Sequence, residues 1–317
     1  MTKSLGTFAA AALALAASSH AFAEAKTLFP EIADTSHASP QARQFFHSFF
    51  TAKSRHKPAE TMKHFSQKQI TYIDATLGWP FYDFTSLSGV FEQFMPTWRE
   101  SGKSYPTRIL GDTKSALVAF TDTPELFGGE IRILAAIDFR DGKVIRWIDY
   151  WDGRHFGAAT AAKMRTPEDK FPKEFSEKAA GENASAKMRA VADKLAKALA
   201  GGDAAAASSL FTYDAVYEDM TLRTQVLGRM AIKNYLARAA AKLPYGQGAE
   251  LAHVVGSDQG GGYEWRAAPA YAANVKRGVT ALELDRDGQI SRFITVWDGS
   301  VVSDADILGL AALSIEK

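Results

Sequence analysis

Two aspartates in the first half of the chain have the residue type and the neighbours that acid–base chemistry needs. Asp149 stands between Trp147 and Trp151 at alternate positions, so in a β-strand all three side chains share one face. If that face lines an apolar interior, desolvation favours the neutral carboxyl and raises its pKa toward neutrality, where it can act as a general acid or base. Asp74, which shares a strand face with Tyr72, is the second candidate, because a carboxylate held without a salt bridge can abstract a proton beside a carbonyl group.

Each candidate also has a structural interpretation. Asp149 would then be a surface carboxylate at a strand end, paired with Arg146, Arg154 or His155. Asp74 would be a feature of the scaffold with no role in chemistry. The sequence alone leaves both interpretations open.

The motifs around these residues recur once in the chain. Tyr-x-Asp-x-Thr occurs at positions 72–76 and again at 217–221, and an Asp-Gly turn followed by Arg, Ile and Trp-Asp-Gly occurs at 141–153 and again at 287–299. Two matches in the same order at nearly one offset indicate a duplicated domain. Asp152 and Asp298 both precede glycine, which is typical of a turn or cap. Position 149 corresponds to Thr295, so we expect the first copy to be the active one if only one is.

The elements that must position these residues follow the same order in both copies. Predicted helices cover 41–53, 58–66 and 86–100, then 186–200, 203–211 and 229–242. Predicted strands cover 69–76, 107–120, 130–140 and 143–151, then 216–221, 249–257, 262–267, 271–285 and 289–297. This pattern predicts an α+β protein of two tandem cone-shaped domains, each with N-terminal helices packed on a curved antiparallel sheet that encloses a pocket. The glycines 260–262 are expected at a flexible hairpin tip.

Aromatic residues are concentrated in the first copy between positions 79 and 98. Trp98 follows Phe91 and Phe94 on one predicted helix, where core packing is the usual role. Trp79 and Tyr82 lie in the predicted loop 78–82, which indicates either a lid over the pocket or a partner site. The predicted ligand-binding residues are Tyr72, Trp79, Tyr82, Trp98, Trp147, Trp151 and Asp219, beside the catalytic candidates Asp149 and Asp74.

Several of these segments resemble one superfamily. The run 211–219 with Gly228 opening the next helix, and the closing hairpin 141–144 followed by Asp149-Tyr150-Trp151-Asp152, resemble the nuclear transport factor two-like superfamily. Within it, the nearest likenesses are the SnoaL-like polyketide cyclases and the ketosteroid isomerases. The resemblance covers both halves of the chain. It implies a small hydrophobic ligand in the cone and chemistry that needs no cofactor, and in the isomerases the strand of Asp219 supplies the carboxylate that shuttles a proton.

The resemblance also implies oxyanion donors that this chain lacks. Counting back from the closing turn, the position of the isomerase aspartic acid falls on Thr280 and Leu134. The position of the isomerase tyrosine falls near Leu195 and Phe49. Steroid isomerisation itself is therefore not expected.

Composition and the first residues limit the class of protein. The 317 residues include 37 Lys and Arg, 36 Asp and Glu, and no Cys, so neither nucleic acid nor an anionic membrane is an expected partner and no disulfide can form. The histidines show no ligand spacing, so no metal is expected. Lys3, an apolar run at 9–17 and Ala-Phe-Ala at 21–23 are typical of a secretory signal peptide, which predicts a periplasmic or secreted protein that leaves the membrane after cleavage.

The predicted organisation is a signal peptide (1–23), a first SnoaL-like domain (24–157), a linker (158–184), a second SnoaL-like domain (185–303) and a helical tail (304–317). Three functions stay open: an enzyme of the cyclase, isomerase or hydratase type acting on a hydrophobic carbonyl compound, a periplasmic carrier of a hydrophobic ligand, and a protein-interaction module. We expect the two copies to form an internal pseudo-dimer, and a homodimer is the alternative assembly.

Overall fold

The computed structural model describes residues 27–271 and 274–315. The predicted signal peptide, 1–23, lies outside the described residues. Within them the chain forms ten α-helices, twelve β-strands and two six-stranded sheets, and no helix there is long and apolar enough to cross a membrane. The α+β class and the two tandem domains predicted from the sequence are confirmed.

The first domain contains four helices and six strands. In chain order these are α1 (Pro40–Ser54), α2 (Pro58–Met62), β1 (Thr71–Asp74), β2 (Trp79–Phe81), α3 (Phe84–Phe94), β3 (Ser104–Gly111), β4 (Ser115–Asp122), α4 (Pro124–Phe127), β5 (Ile131–Arg140) and β6 (Lys143–Trp151). Two short helices follow, α5 (Ala158–Met164) and α6 (Glu177–Ala180).

The second domain also has two helices, two strands, a helix and four further strands in that order, and it ends in a helix. Its elements are α7 (Ala186–Ala200), α8 (Ala204–Ser209), β7 (Phe211–Asp219), β8 (Thr224–Leu227), α9 (Arg229–Ala239), β9 (Glu250–Gly256), β10 (Gly260–Arg266), β11 (Arg277–Leu284), β12 (Ile290–Trp297) and α10 (Asp304–Ala312). The Ser303 hydroxyl accepts a hydrogen bond from the Asp306 N–H and caps α10.

The two sheets have the same strand order, β2-β1-β6-β5-β4-β3 and β8-β7-β12-β11-β10-β9. The meander from β3 to β6 is antiparallel, as predicted, but β1 pairs with β6 in parallel and β7 pairs with β12 in parallel. Each sheet is therefore mixed, which corrects the expectation of a purely antiparallel sheet. Residue alternation cannot reveal this, because it is the same in parallel and antiparallel strands.

One predicted strand, 107–120, is in fact the hairpin of β3 and β4. The chain turns at Asp112, whose Oδ1 accepts hydrogen bonds from the N–H groups of Lys114 at 2.8 Å and Ser115 at 3.2 Å. This side-chain turn replaces the Asp-Gly signal that marks the last hairpin of each domain. Because apolar residues stand on both sides of the turn, the sequence pattern predicts one continuous strand.

The outward faces of the two sheets pack against each other. Leu117, Leu134 and Ile148 of the first sheet share a buried cluster with Val255 and Val279 of the second. The cones therefore open away from this interface, and each has its own core on the concave face of its sheet.

Charged groups are buried in the same interface. The Arg146 guanidinium lies 2.6 Å from Glu264 of the second domain, and the Tyr150 hydroxyl donates to Glu264 at 2.6 Å. The His253 Nε2 lies 2.8 Å from Asp138 of the first domain. Separating the two sheets would leave these buried groups without their partners, which is costly.

The predicted linker, 158–184, is structured and belongs to this interface. Phe175 is fully buried, and its carbonyl accepts a hydrogen bond from Arg146 Nε at 2.7 Å. The Arg277 guanidinium lies over the Phe175 ring, 4.0 Å from its centroid. The segment therefore packs between the two domains and also connects them in sequence.

The glycines 260–262 lie inside β10 and not at a flexible hairpin tip, which corrects that expectation. A Cβ on Gly260 would lie 2.9 Å from the Cβ of His37, and one on Gly261 would lie 2.2 Å from the Val255 carbonyl oxygen. Glycine is required here because the first domain and a neighbouring strand approach the backbone closely.

Candidate functional site

Aromatic side chains line the concave face of the first sheet. Trp147 on β6 is at the centre and is 1% exposed. Its ring lies 4.8 Å from Phe49 of α1, 6.1 Å from Phe65, 6.2 Å from Phe120 and 6.4 Å from Tyr72, measured between ring centroids. The predicted face of β6 is therefore the one that points into the cone.

Asp149 lies in this aromatic interior, and both of its carboxylate oxygens accept hydrogen bonds. The Tyr72 hydroxyl donates to Oδ2 at 2.5 Å, and the Trp147 indole Nε1 donates to Oδ1 at 2.6 Å. Burial raises the pKa of Asp149 to about 6, while the hydrogen bond from Tyr72 and the positive charge of Lys53 lower it. A carboxyl with this pKa exchanges protons near neutral pH, as acid–base catalysis requires.

These contacts contradict the interpretation of Asp149 as a surface carboxylate. The side chain is only 7% exposed. Arg146 is buried in the interface on the other face of β6, and Arg154 forms its ion pair with Asp152 at 2.6 Å. The Asp152 carboxylate also accepts a hydrogen bond from the Arg154 N–H, so the turn role predicted for Asp152 is confirmed. Asp298 makes the corresponding bond to the Ser300 N–H.

A buried ion pair that sequence reasoning missed belongs to the same interior. Lys53 Nζ of α1 lies 3.0 Å from Asp122 Oδ1 of β4, and 4.8 Å above the Phe120 ring. A signal was present: Lys53 follows Phe46, Phe49 and Phe50 on the apolar face of α1, where a lysine is unexpected. The Lys53 charge lowers the pKa of Asp149 and the Asp122 charge raises it.

Asp74 closes the turn after β1. Its Oδ1 accepts hydrogen bonds from the N–H groups of Thr76 at 2.9 Å and Leu77 at 2.8 Å, and its Oδ2 accepts one from Trp151 Nε1 at 3.0 Å. Burial raises the pKa of Asp74 to about 7, and the charge of Asp149 on the neighbouring strand adds to the rise. The geometry of Asp74 therefore supports the scaffold interpretation, and the charge of Asp149 influences its protonation.

Asp219 has the same turn contacts in the second domain. Its Oδ1 accepts from the N–H groups of Thr221 and Leu222, both at 2.9 Å, and its Oδ2 accepts from Trp297 Nε1 at 3.3 Å. Burial raises the pKa of Asp219 to about 6. Because Asp74 and Asp219 make matching contacts, their geometry supports the scaffold interpretation of the repeated Tyr-x-Asp-x-Thr motif.

The second cone is closed around this aspartate. Asp219 is fully buried, and the Tyr245 hydroxyl donates to it at 2.8 Å. The Tyr217 and Phe293 rings stack with centroids 4.1 Å apart. Thr295, at the position of Asp149, donates to the Val279 carbonyl at 3.0 Å. The copies therefore differ in the group that could move a proton.

Trp79 and Tyr82, predicted in a lid loop, and Trp98, predicted to bind the ligand, all lie at the periphery. Trp79 belongs to strand β2, so 78–82 is not the predicted loop, and its indole Nε1 donates to the Met164 carbonyl at 2.9 Å. Tyr82 is 54% exposed. Trp98 packs between His56 and Phe127, with centroids 5.5 and 5.4 Å away. Their geometry gives no support to a direct role beside Asp149.

Phe81 and Phe91 instead form the rim nearest to Tyr72. Each ring centroid lies 6.2 Å from that of Tyr72, and all three side chains are partly exposed. Phe91 lies on α3, in which Leu87 is the one fully buried residue. Because α3 buries few side chains, little packing holds it over Tyr72.

The strand register corrects one position taken from the isomerase pattern. Thr280 pairs with Thr295 on the concave face, but the residue opposite Asp149 is Ala135 and not Leu134. Leu134 lies in the interface between the sheets. The turn before the last strand is longer in the second domain, where Leu284 pairs with Ile290, than in the first, where Arg140 pairs with Lys143, so counting back from the glycine is off by one. Ala135 has no polar side chain, and the first cone still lacks the isomerase donor there.

Comparisons with known proteins identify the fold of the second half. The SnoaL-like domain family matches residues 192–293. A search of curated proteins found no match. Similar solved structures include a steroid delta-isomerase from Pseudomonas aeruginosa (14% identity, 42% of this chain, 93% of that chain, TM-score 0.33). They also include a SnoaL-like protein of unknown function from Burkholderia thailandensis (12% identity, 36% of this chain, 98% of that chain, TM-score 0.32).

Proposed function

The second half of this chain is a SnoaL-like domain and the first half repeats its strand order, and from this premise we propose that the first domain binds a small hydrophobic carbonyl compound. Asp149 moves a proton on that compound without a cofactor. The observation that carries the proposal is the setting of Asp149: a carboxyl in an aromatic interior, held by Tyr72 and Trp147, with a pKa of about 6.

The reaction class follows from what a carboxylate in this place can do. At neutral pH Asp149 is mostly ionised and accepts a proton from the carbon next to the carbonyl group, which leaves an enolate on the bound compound. Return of the proton from Asp149 to another carbon gives an isomer. Attack of the enolate carbon on a second carbonyl of the same molecule gives a ring, and Asp149 then protonates the new alkoxide. The Tyr72 and Trp147 donors hold the carboxylate in one orientation throughout.

A thermal-shift screen followed by an exchange assay tests this proposal. Aromatic polyketides, sterols and fatty acids are compared, because each has an apolar body and a carbonyl or hydroxyl group. A ligand at about a hundred times its dissociation constant stabilises the protein by roughly 2.7 kcal/mol. Compounds that bind are then incubated in D2O, and deuterium at the carbon beside the carbonyl is measured. Binding without exchange would support a carrier, and absence of binding would support an interaction module.

Tyr72→Phe is expected to raise the pKa of Asp149 above about 6. The hydrogen bond from the Tyr72 hydroxyl favours the charged carboxylate, so its loss favours the proton-bound form. Carbon-13 NMR of the aspartate carboxyls across pH 4 to 9 measures the change. The matched control is Tyr217→Phe in the second domain, whose hydroxyl contacts Tyr245 at 3.1 Å. A pKa of Asp149 that stays the same or falls in Tyr72→Phe would contradict the assigned bond.

Export and assembly complete the proposal. Residues 1–23 would direct the protein to the periplasm and be removed before Glu24, which mass spectrometry of the periplasmic fraction can test. The second domain would take the place that a second subunit has in a dimer, with the packed sheets as its interface. The buried Arg146–Glu264 pair across that interface supports this arrangement.

A further inference from the structure

A groove of about 840 Å3 lies on the first domain beside the rim of the cone. It runs between α2 and α3 and reaches the turn between β5 and β6. Its apolar part contains Met62, Phe65, Phe84 and Ile145. The groove therefore offers an apolar floor in direct continuity with the core of the first domain.

The polar part of the groove has an excess of positive charge. Four cationic side chains line it against two acidic ones: Lys63, Lys68, Arg140 and Lys143 against Glu92 and Asp141. Over the whole chain, by contrast, positive and negative residues are almost equal in number. An anion in the groove would meet a local field that the rest of the protein does not provide.

The contacts of two of these cations leave their charge available. Lys143 Nζ donates to the Lys63 carbonyl at 2.7 Å, and Arg140 Nη2 donates to the Ala180 carbonyl at 3.2 Å. Both acceptors are neutral backbone groups, so these bonds position the cations without neutralising them. The lowered pKa of His64 is consistent with an available positive charge on Lys143. Burial is the main cause that lowers this pKa, and the Lys143 charge lowers it further.

The Phe65 side chain lies between the groove and the interior of the cone. It lines the groove, and its ring centroid lies 6.1 Å from Trp147, 6.4 Å from Tyr72 and 6.2 Å from Phe91. Rotation of this one ring, together with movement of α3, would join the groove to the interior that holds Asp149. A bound molecule could then lie in both at once.

We propose that the ligand of the first domain is an amphipathic anion, an apolar compound with a carboxylate, sulfonate or phosphate group. The anionic group binds between Lys68, Arg140 and Lys143, and the apolar end extends past Phe65 toward Asp149. This inference rests on the proposed function, since it names the substrate class of the same site.

Two fluorescent probes of similar shape test the inference on the full chain. One is the anion 8-anilinonaphthalene-1-sulfonate and the other is neutral N-phenyl-1-naphthylamine. We expect the anion to bind more tightly, and Lys68→Gln with Lys143→Gln to weaken it about fivefold to tenfold at low salt. Binding of the neutral probe should change less than about twofold. The matched control is Lys194→Gln with Lys233→Gln, two exposed lysines of the second domain, which should change neither affinity.

The outcomes separate this inference from the proposed function. Equal binding of the two probes, or an anion affinity that the double variant leaves unchanged, would overturn the anionic site while leaving the role of Asp149 intact. An equal loss for both probes would also overturn it, because charge would not be the cause. If neither probe binds the unaltered protein, the anionic site is overturned, while the thermal-shift screen and the exchange assay decide the role of Asp149 independently.

Discussion

Asp149→Asn is expected to lower proton exchange on a bound carbonyl compound by about 10²- to 10⁴-fold, the usual contribution of a general acid–base group. Asparagine has nearly the same shape and can still bond Tyr72 and Trp147, but it cannot take up a proton at neutral pH. Ligand binding should therefore persist. Deuterium incorporation measured by NMR gives the rate, and Thr295→Ser, at the corresponding position of the second domain, is the control that should leave it unchanged.

The same variant should be more stable than the original protein at pH 8. The pKa of Asp149 is about 6 in the folded protein against an ordinary 3.8, so the folded state holds this proton more tightly than the unfolded state. Stability from this group is greatest below pH 3.8 and falls as pH rises to about 6. Above pH 6 the buried carboxylate lowers the free energy of unfolding by about 3 kcal/mol. Asparagine avoids this loss because it carries no charge. An unchanged exchange rate together with unchanged stability would contradict the role of Asp149.

Asp219→Ala is expected to lower the free energy of unfolding by about 3 kcal/mol at pH 5, where burial keeps Asp219 mainly protonated. Alanine leaves the Trp297 Nε1 and the N–H groups of Thr221 and Leu222 without their acceptor inside the core. Urea unfolding followed by tryptophan fluorescence measures the loss. Deuterium exchange in the first domain should be unaffected under conditions where the variant is folded.

The matched variant is Asp219→Asn, which keeps one oxygen acceptor for the two N–H groups. It should recover more than half of the stability that alanine loses. If alanine costs less than about 1 kcal/mol, or if it abolishes exchange while the protein stays folded, the scaffold interpretation of Asp219 is contradicted.

The parts of the site that follow local rules could be predicted from the sequence. The alternation of Trp147, Asp149 and Trp151 placed the carboxyl on one face of a strand, and the repeated motifs revealed two copies. In both copies the structure brings the repeated residues together: the Thr76 hydroxyl donates to the Trp151 carbonyl at 2.7 Å, and Thr221 donates to Trp297 at 2.6 Å. The repeated threonine and tryptophan therefore mark a contact between distant segments of the chain.

The parts that depend on distant pairing could not be predicted. Parallel pairing of β1 with β6 places Tyr72 beside Asp149, and nothing in either segment specifies this partner. Asp122 was not predicted because its role depends on the contact between the end of β4 and Lys53 on α1. The rim was misassigned for the same reason, since pairing of β2 with β1 sets Phe81 opposite Tyr72 and sets Trp79 at the other end of the strand, where its indole bonds to Met164.

The pH titration of the Asp149 carboxyl, followed by carbon-13 NMR with and without a bound hydrophobic carbonyl compound, tests the central claim most directly. The account predicts a signal that titrates near pH 6, disappears in Asp149→Asn, and moves to higher pH when the ligand excludes water from the cone. A carboxyl that titrates near its ordinary 3.8, or one that ligands stabilising the protein leave unmoved, would contradict it.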